Sequence, residues 1–305
     1  MAFSLSRLSM GLAVLAIAAA IAGCGSSSKS STSSTSSAAA STTTPGTDSK
    51  VAALVPPTVK KSGTLSVAAD ASYAPNEFIG SNGKTVEGMD ADLAKALAGV
   101  MGLKAAVKNQ TFDSIIPGLA AKKYDLGMSS FTDTLARQKV VNFVTYFSAG
   151  TSFYTKAQGG PTVNSLADLC GLKVAVEKGT TQQADATAQS KKCTAAGKKP
   201  VTVSVFPDQN GANLALSSGR AQVGMADSPV AAYQVKQSNG QFKLSGSPYG
   251  TAPYGIAMSK STGLDKAVLA GIKALIADGQ YKSILTHWGI QSGAISNPVI
   301  NGATS

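Results

Sequence analysis

Few residues in this 305-residue chain have the types and spacing that enzymatic chemistry requires. The single histidine, His287, lies in a helical stretch near the C-terminus, and we interpret it as structural rather than catalytic. The sequence has no HExxH, paired CxxC, GxSxG or phosphate-binding glycine-rich motif. We therefore expect no catalytic residue, no metal site and no cofactor.

One of the three cysteines lies where covalent lipid attachment takes place. Cys24 follows an apolar run, residues 11–21, that is too short to span a bilayer but suits the core of a signal peptide. Ile21-Ala22-Gly23-Cys24 resembles the bacterial lipobox, whose cysteine takes a diacylglyceryl group. We expect residues 1–23 to be a signal peptide and Cys24 to carry lipid such as palmitate. Ordinary signal cleavage beside an incidental cysteine is the alternative.

The other two cysteines, Cys170 and Cys193, are expected to form a disulfide, since paired cysteines outside the cytoplasm most often bond to each other. A metal site is the weaker alternative, because neither has a histidine or a further cysteine nearby.

Composition sets the N-terminal segment apart from the rest. Residues 25–49 are almost all Ser, Thr, Ala and Gly, so residues 24–56 are predicted to be a lipidated cysteine followed by a disordered tether. The chain carries 27 basic and 16 acidic side chains, a net charge of +11. Its lysines are scattered as pairs without interleaved aromatics, which indicates a solvated surface and no nucleic-acid partner.

Strand and helix signals alternate beyond the tether. Residues 65–69 and 124–128 have the pattern of strands, and residues 89–101 that of an amphipathic helix with Asp90 as a plausible N-cap. Residues 119–130 align without a gap over residues 216–227, each ending in a Gly-Met strand followed by small or polar residues. This order predicts an α/β fold with two similar lobes, each offering polar groups at the carboxyl end of a strand.

Several motifs, in order, resemble the type-3 family of solute-binding proteins, the amino-acid receptors of ABC importers. The resemblance covers about residues 61–290 and departs from the family at Asn76, where an aromatic is usual, and at Met89, where Phe is usual. The motifs are Asp70-Ala71-Ser72-Tyr73-Ala74-Pro75, Gly88-Met89-Asp90-Ala91-Asp92-Leu93-Ala94, Phe112-Asp113-Ser114-Ile115-Ile116-Pro117-Gly118-Leu119, Met128-Ser129-Ser130-Phe131-Thr132 through Arg137-Gln138-Lys139, Gly179-Thr180-Thr181-Gln182 and the Asp227 segment.

The resemblance implies a two-lobed, type II periplasmic-binding-protein-like fold with two hinge strands, expected near residues 148–153 and 244–249. Lobe 1 would combine residues 57–150 with 249–305, and lobe 2 would be residues 151–248. The implied function is that of a monomeric, extracytoplasmic lipoprotein, anchored to the outer face of the cell membrane. It would capture a polar amino acid by hinge closure and deliver it to an ABC importer permease.

The family's ligand contacts carry over to matching positions. Arg137 would bind the ligand carboxylate with its two-pronged guanidinium, and Asp227 would accept the ligand ammonium. Further ligand contacts are expected from both lobes, at Ser130, Thr132, Thr181, Asp70, Tyr73 and Phe112. Asp90 is expected to cap its helix.

Each of these residues also has an ordinary structural explanation. Arg137 could be a surface arginine, Thr181 an ordinary N-cap and Phe112 a core aromatic.

Two other functions remain open. A dehydratase-like enzyme on the same fold would need an acid or base, and Glu177 is the one acid near the predicted cleft, although an exposed strand-end position is the preferred interpretation. An extracellular amino-acid sensor is the third possibility, but such domains usually continue into a transmembrane helix that this sequence lacks.

Overall fold

The computed structural model describes residues 46–303. The signal peptide, Cys24 and most of the predicted tether therefore lie outside the described residues. Within residues 46–303, none of the helices combines the length and the apolar character that a membrane span needs.

The described residues form one large mixed sheet, one small sheet, and helices packed on both faces of the large one. The strands are β1 (Thr64–Ala69), β2 (Ser72–Tyr73), β3 (Glu77–Ile79), β4 (Val86–Glu87), β5 (Lys104–Asn109), β6 (Leu126–Gly127), β7 (Val141–Lys156), β8 (Lys173–Glu177), β9 (Thr202–Phe206), β10 (Val223–Asp227) and β11 (Phe242–Ser259). The α-helices are α1 (Ser49–Leu54), α2 (Pro57–Ser62), α3 (Met89–Val100), α4 (Phe112–Ala120), α5 (Leu135–Gln138), α6 (Thr181–Ala195), α7 (Gln209–Ser217), α8 (Ser228–Gln237), α9 (Asp265–Ala277) and α10 (Gln280–His287). Leu166–Leu169 and Gln291–Gly293 are short 3₁₀ turns.

The large sheet has two halves joined by its two longest strands. Its order is β5-β1-β6-β11-β7-β10-β8-β9, and β2-β3-β4 form the small sheet. We call β5, β1 and β6 the first half and β10, β8 and β9 the second half. Strands β7 and β11 pair antiparallel along both halves, with register shifts between Ser245 and Ala252. A Cβ on Gly150 would lie 2.7 Å from the Tyr249 carbonyl oxygen, so the absence of a side chain permits this close crossing.

The N-terminal boundary of the folded body differs from the prediction. Helix α1 lies inside the segment 24–56 predicted as tether, and Asp48 caps it by accepting hydrogen bonds from two backbone N–H groups. Val51 and Val55 are buried in the main core with α3 and α9 residues. The predicted tether therefore extended too far, because Val51 and Val55 dock this short apolar segment onto the main core.

Two cores stabilise the two halves. The larger one packs α3, α9 and α10 against β1 and the adjoining parts of β7 and β11, with Leu65, Leu97 and Ile272 fully buried. The second lies under β8 and β10 and contains Phe153, Val176 and Cys193.

A C-terminal tail closes the exposed edge of β7 in the first half. The Thr145 backbone N–H donates to the Val299 carbonyl, and the Asn301 N–H donates to the Phe143 carbonyl, both at 2.9 Å. The Ala303 N–H then donates to Asp133 Oδ2 at 3.2 Å. The tail thus fastens to the loop that precedes α5.

The predicted disulfide is confirmed. Cys170 follows the first 3₁₀ turn and bonds to Cys193 in α6, with 5.6 Å between their Cα atoms. The bond closes a loop with a sequence separation of 23 residues beside the second core.

Removing this disulfide should destabilise the protein. The chain-entropy model gives about 3 kcal/mol for a loop of this size, so the double variant Cys170→Ala, Cys193→Ala is expected to lose that amount of unfolding free energy. Urea denaturation followed by circular dichroism measures it. A reductant is expected to destabilise the wild-type protein similarly and leave the variant unaffected; equal stability of oxidised wild type and variant would contradict the expectation.

Candidate functional site

A narrow cavity lies where four strand ends meet. Asp70 follows β1, Ser129 follows β6, Glu177 ends β8 and Asp227 ends β10. Strand β1 is parallel to β6, and β8 is parallel to β10, so their carboxyl ends converge from the two halves of the sheet. The residues that line the cavity are Asp70, Tyr73, Glu77, Phe112, Ser129, Ser130, Thr132, Arg137, Glu177, Thr180, Thr181, Gln182 and Asp227.

All eight residues predicted to contact a ligand line this cavity. The structure adds five that the sequence did not single out as contacts, namely Glu77, Ser129, Glu177, Thr180 and Gln182. Ser129, Thr180 and Gln182 lie inside the family motifs described above, so those motifs could have identified them. Glu77 lies outside these motifs, and nothing in the sequence pointed to it. The structure brings these residues together; their ligand contacts stay a prediction.

Arg137 is held in place without a carboxylate partner among residues 46–303. Its Nη1 donates to the Thr132 carbonyl at 2.8 Å and its Nη2 to the Gly179 carbonyl at 3.0 Å. The guanidinium carbon lies 5.3 Å from the ring centre of Phe112 and 5.4 Å from that of Phe131. Burial lowers the pKa of Arg137 to about 10, an effect that the negative charge of Asp227 opposes. An oriented, partly desolvated guanidinium of this kind suits a carboxylate ligand.

Asp227 lies on the opposite side of the cavity and is enclosed by polar hydrogens. Tyr254 Oη donates to one carboxylate oxygen at 2.7 Å, and Gln182 Nε2 donates to the other at 2.6 Å. Burial raises the pKa of Asp227 to about 6, while these hydrogen bonds and the charge of Arg137 oppose the shift. A carboxylate in this state gains from an added cation, such as an ammonium group.

The cavity contains three further acids. Asp70 accepts from the Ser72 hydroxyl at 2.6 Å and from the Phe112 backbone N–H at 2.9 Å. Glu77 accepts from the Ser129 hydroxyl at 2.8 Å, and burial together with the charge of Asp90 raises its pKa well above the usual range. Glu177 is 2 % exposed, so the interpretation of it as an exposed strand-end residue was wrong.

Asp90 does not cap its helix. Gly88 is the N-cap of α3, and the side chain of Asp90 accepts from the Ser130 backbone N–H at 2.7 Å and from the Tyr146 hydroxyl. These bonds hold Ser130 at a φ of 51°, a left-handed conformation that is uncommon for residues other than glycine. Asp90 therefore shapes the loop that presents Ser130 to the cavity.

Thr181 is the first residue of α6, where the backbone N–H has no partner within the helix. The alternative of Thr181 as the N-cap was wrong, because Thr180 occupies that position and accepts from the Gln183 N–H.

The two sides of the cleft touch each other around the cavity. The Asp227 N–H donates to Tyr73 Oη at 2.9 Å, and the Gln209 N–H donates to the Ser72 hydroxyl at 3.0 Å. At the rim, Lys178 forms an ion pair with Asp113 at 2.8 Å. The cleft is thus closed over the cavity.

Sequence comparison places this site in a family. The profile of bacterial extracellular solute-binding proteins, family 3, matches residues 65–291. The chain belongs to this family. Its fold is accordingly the two-lobed type II architecture, with β7 and β11 as the strands that join the lobes. The lobe boundaries at residues 150 and 249 stay a prediction.

Relatives in this solute-binding family are similar over most of their length. "Arginine-binding protein ArgT" of Corynebacterium glutamicum is 34% identical over 253 residues, which is 83% of each chain. The solved structure "An ancestral arginine-binding protein bound to arginine" is 36% identical with a TM-score of 0.68, covering 74% of this chain and 98% of that one. An ancestral amino acid-binding protein, AncCDT-1, described as a precursor of cyclohexadienyl dehydratase, is 34% identical with a TM-score of 0.65, covering 76% of this chain and 97% of that one.

The single histidine is not part of the cavity. His287 is exposed in the last turn of α10 and does not line the cavity. Within residues 46–303, no group of three or more His, Cys, Asp or Glu side chains is arranged to hold a metal ion.

Proposed function

We propose that this solute-binding protein captures an amino acid with a cationic side chain, L-arginine in the first instance, for delivery to an ABC importer. Capture of an amino acid for such an importer is the function of the family members it resembles. The observation that carries the choice of ligand is the charge of the cavity: four carboxyl groups face one guanidinium.

The α-carbon groups of the ligand account for two of these charges. Arg137 would bind the α-carboxylate, and the free N–H at the start of α6 would add a second donor. Asp227 would bind the α-ammonium. These two contacts give the buried charged groups the partners that water would provide at an exposed site.

The three remaining acids select the side chain. Asp70, Glu77 and Glu177 would have to stay desolvated beside a neutral or acidic ligand side chain, which is unfavourable for a buried charge. A guanidinium or ammonium group compensates them.

The ligands of related proteins support the same choice. ArgT is named as an arginine-binding protein, and the ancestral structure holds arginine. We extend this ligand to the present chain because its cavity has the acidic excess described above.

The N-terminal predictions complete the proposed receptor. Cleavage after residue 23 and lipidation of Cys24 would anchor a monomer to the outer face of the cell membrane. The predicted tether would then end before α1, since the folded body already includes this helix. Labelling with a radioactive fatty acid tests this part, since the label is expected in the wild type and is expected to be absent from a Cys24→Ala variant.

A second candidate, an enzyme of the dehydratase type, rests on Glu177. It is a buried acid whose pKa is raised well above the usual range, first by burial and then by the charge of Asp70. We propose binding without catalysis, and mass spectrometry of the ligand after prolonged incubation is expected to return it unchanged.

A thermal-shift screen of the purified protein, freed of carried-over ligand, tests the binding proposal. A ligand at a hundredfold excess over its Kd adds about 2.7 kcal/mol of stability. For a domain of this size we expect Tm to rise by about 5–10 °C with arginine, less with lysine or ornithine, and little with glutamate. A larger shift with neutral or acidic amino acids would contradict the proposal for a cationic ligand, and no shift with any amino acid would contradict amino-acid binding itself.

A further inference from the structure

Two of the cavity acids meet across the cleft. Asp70 follows β1 in the first half of the sheet, and Glu177 ends β8 in the second half. Both carboxyl groups line the same narrow cavity in the closed cleft, where burial and then the negative charge of Asp70 raise the pKa of Glu177. Opening the cleft separates them, so this carboxyl pair exists only when the two lobes close.

Glu177 has no cation to compensate it. Its Oε1 is buried and accepts no hydrogen bond from an N–H or hydroxyl donor of the described residues. Neither ion pair within residues 46–303 includes it, since Lys178 binds Asp113 and Lys95 binds Asp92. The titratable groups around it include the acids and phenols Asp70, Asp208, Asp227, Tyr73 and Tyr154, and the Arg137 guanidinium lines the same cavity.

We propose that Glu177 and Asp70 form a charge-selective clamp. It closes on a cationic ligand side chain with both carboxyl groups ionised, and on a neutral side chain only when one of the two carboxyl groups is protonated. This inference rests on the proposed function, because it concerns the side-chain end of the same ligand. Glu177 is then the residue that sets ligand specificity, through contact with the distal cation.

The proton balance follows directly. When a neutral ligand is enclosed, one carboxylate takes a proton from solvent, forming an O–H bond that donates to the other. When a guanidinium is enclosed, its N–H groups donate to both carboxylates and no proton is taken up. The complex with a neutral ligand therefore holds up to one more proton than the complex with a cationic ligand.

This difference makes specificity depend on pH. Burial raises the pKa of both Glu177 and Asp70, so the pair keeps its proton at pH values where free carboxyl groups are ionised. By linkage, the ratio of affinities for a cationic over a neutral ligand increases with pH, by up to about tenfold per pH unit while the neutral complex is protonated. Because the ratio compares two complexes of one protein, the conformation of the empty protein cancels.

Glu77 is the other acid that could bind the distal cation. It differs because its hydrogen-bonding partners, Ser129 and Ser130, and the neighbouring Asp90 all come from the first half of the sheet. Closure of the cleft does not create that pair. A variant of Glu77 is therefore the matched control for one of Glu177.

The test measures Kd of L-arginine and of L-citrulline, whose urea group replaces the guanidinium without changing the α-carbon groups. Isothermal titration calorimetry from pH 5.5 to 8.5 is expected to show an arginine-to-citrulline affinity ratio that rises with pH in the wild type. Repeating the citrulline titration in two buffers of different ionisation enthalpy is expected to show proton uptake relative to arginine, which needs no variant.

In Glu177→Gln, the ratio is expected to fall at least about 30-fold at pH 8 and to lose its pH dependence, while Glu77→Gln keeps that dependence. A wild-type ratio independent of pH, with equal proton uptake for the two ligands, would overturn the clamp. So would a pH-dependent ratio that Glu77→Gln abolishes and Glu177→Gln preserves. In both cases arginine still binds, whereas failure of the proposed function would show as preferred binding of a neutral or acidic amino acid, or as no amino acid bound.

Discussion

Replacing Arg137 with alanine is expected to weaken arginine binding by about 2–5 kcal/mol, because it leaves the ligand carboxylate desolvated and without a partner. The structure explains why the loss is expected to be large. Two backbone carbonyls orient the guanidinium, two aromatic rings flank it, and no carboxylate of residues 46–303 pairs with it. Isothermal titration calorimetry measures the change in Kd.

Two controls separate the carboxylate contact from the other contacts of Arg137. Arg137→Lys keeps the charge but loses the planar pair of donors, so an intermediate loss is expected. Agmatine, which is arginine without its carboxylate, is expected to bind wild type and Arg137→Ala with similar, weak affinity. An equal loss for arginine and agmatine would show that Arg137 acts by holding the cleft closed through Gly179 and not by binding the carboxylate.

Asp227→Asn is expected to weaken arginine binding by about 2–5 kcal/mol and to change how binding depends on pH. Burial raises the pKa of Asp227 to about 6, and the ligand ammonium favours the ionised form, so the pKa is lower in the complex. Binding below pH 6 therefore releases a proton. Affinity of the wild type for arginine is expected to decrease as the pH falls below about 6, and this decrease is expected to be smaller in Asp227→Asn, which lacks the contribution of Asp227.

The matched ligand for this experiment is 5-guanidinopentanoate, which is arginine without its amino group. It offers Asp227 no ammonium, so its affinity is expected to decrease less on acidification than that of arginine and to be much less sensitive to Asp227→Asn. If arginine and this analogue respond alike, Asp227 does not bind the ammonium.

Local sequence was a good guide to the cavity wherever motifs follow strand ends. Asp70, Ser130 and Asp227 were predicted from the family resemblance, and all three line the cavity because they lie at or after the ends of β1, β6 and β10. The predicted disulfide is likewise present, between the two cysteines of one βα segment.

The errors share one physical cause, which is dependence on contacts distant in sequence. Glu177 was expected to be exposed because its own strand ends there, yet the opposite lobe buries it against Asp70. Asp90 resembled a helix cap, but Ser130 and Tyr146, 40 and 56 residues away, take its carboxylate. Similarly, α1 is held by valines that dock onto α3 and α9. Such burial cannot be inferred from neighbouring residues alone.

The tail that closes the edge of β7 gives the protein a natural attachment point for an optical reporter. Ala303 is tied to Asp133, and it also borders a crevice shared with Thr132, Thr181 and Tyr249, which come from both lobes. A dye on Ala303→Cys would therefore change its surroundings whenever the lobes separate, while every cavity residue keeps its own side chain. Because Cys170 and Cys193 are bonded to each other, that thiol would be the reactive one within residues 46–303. A tag fused near Ala303 would lie beside the loop that precedes α5, so protein for affinity measurements is better extended at the other end of the folded body.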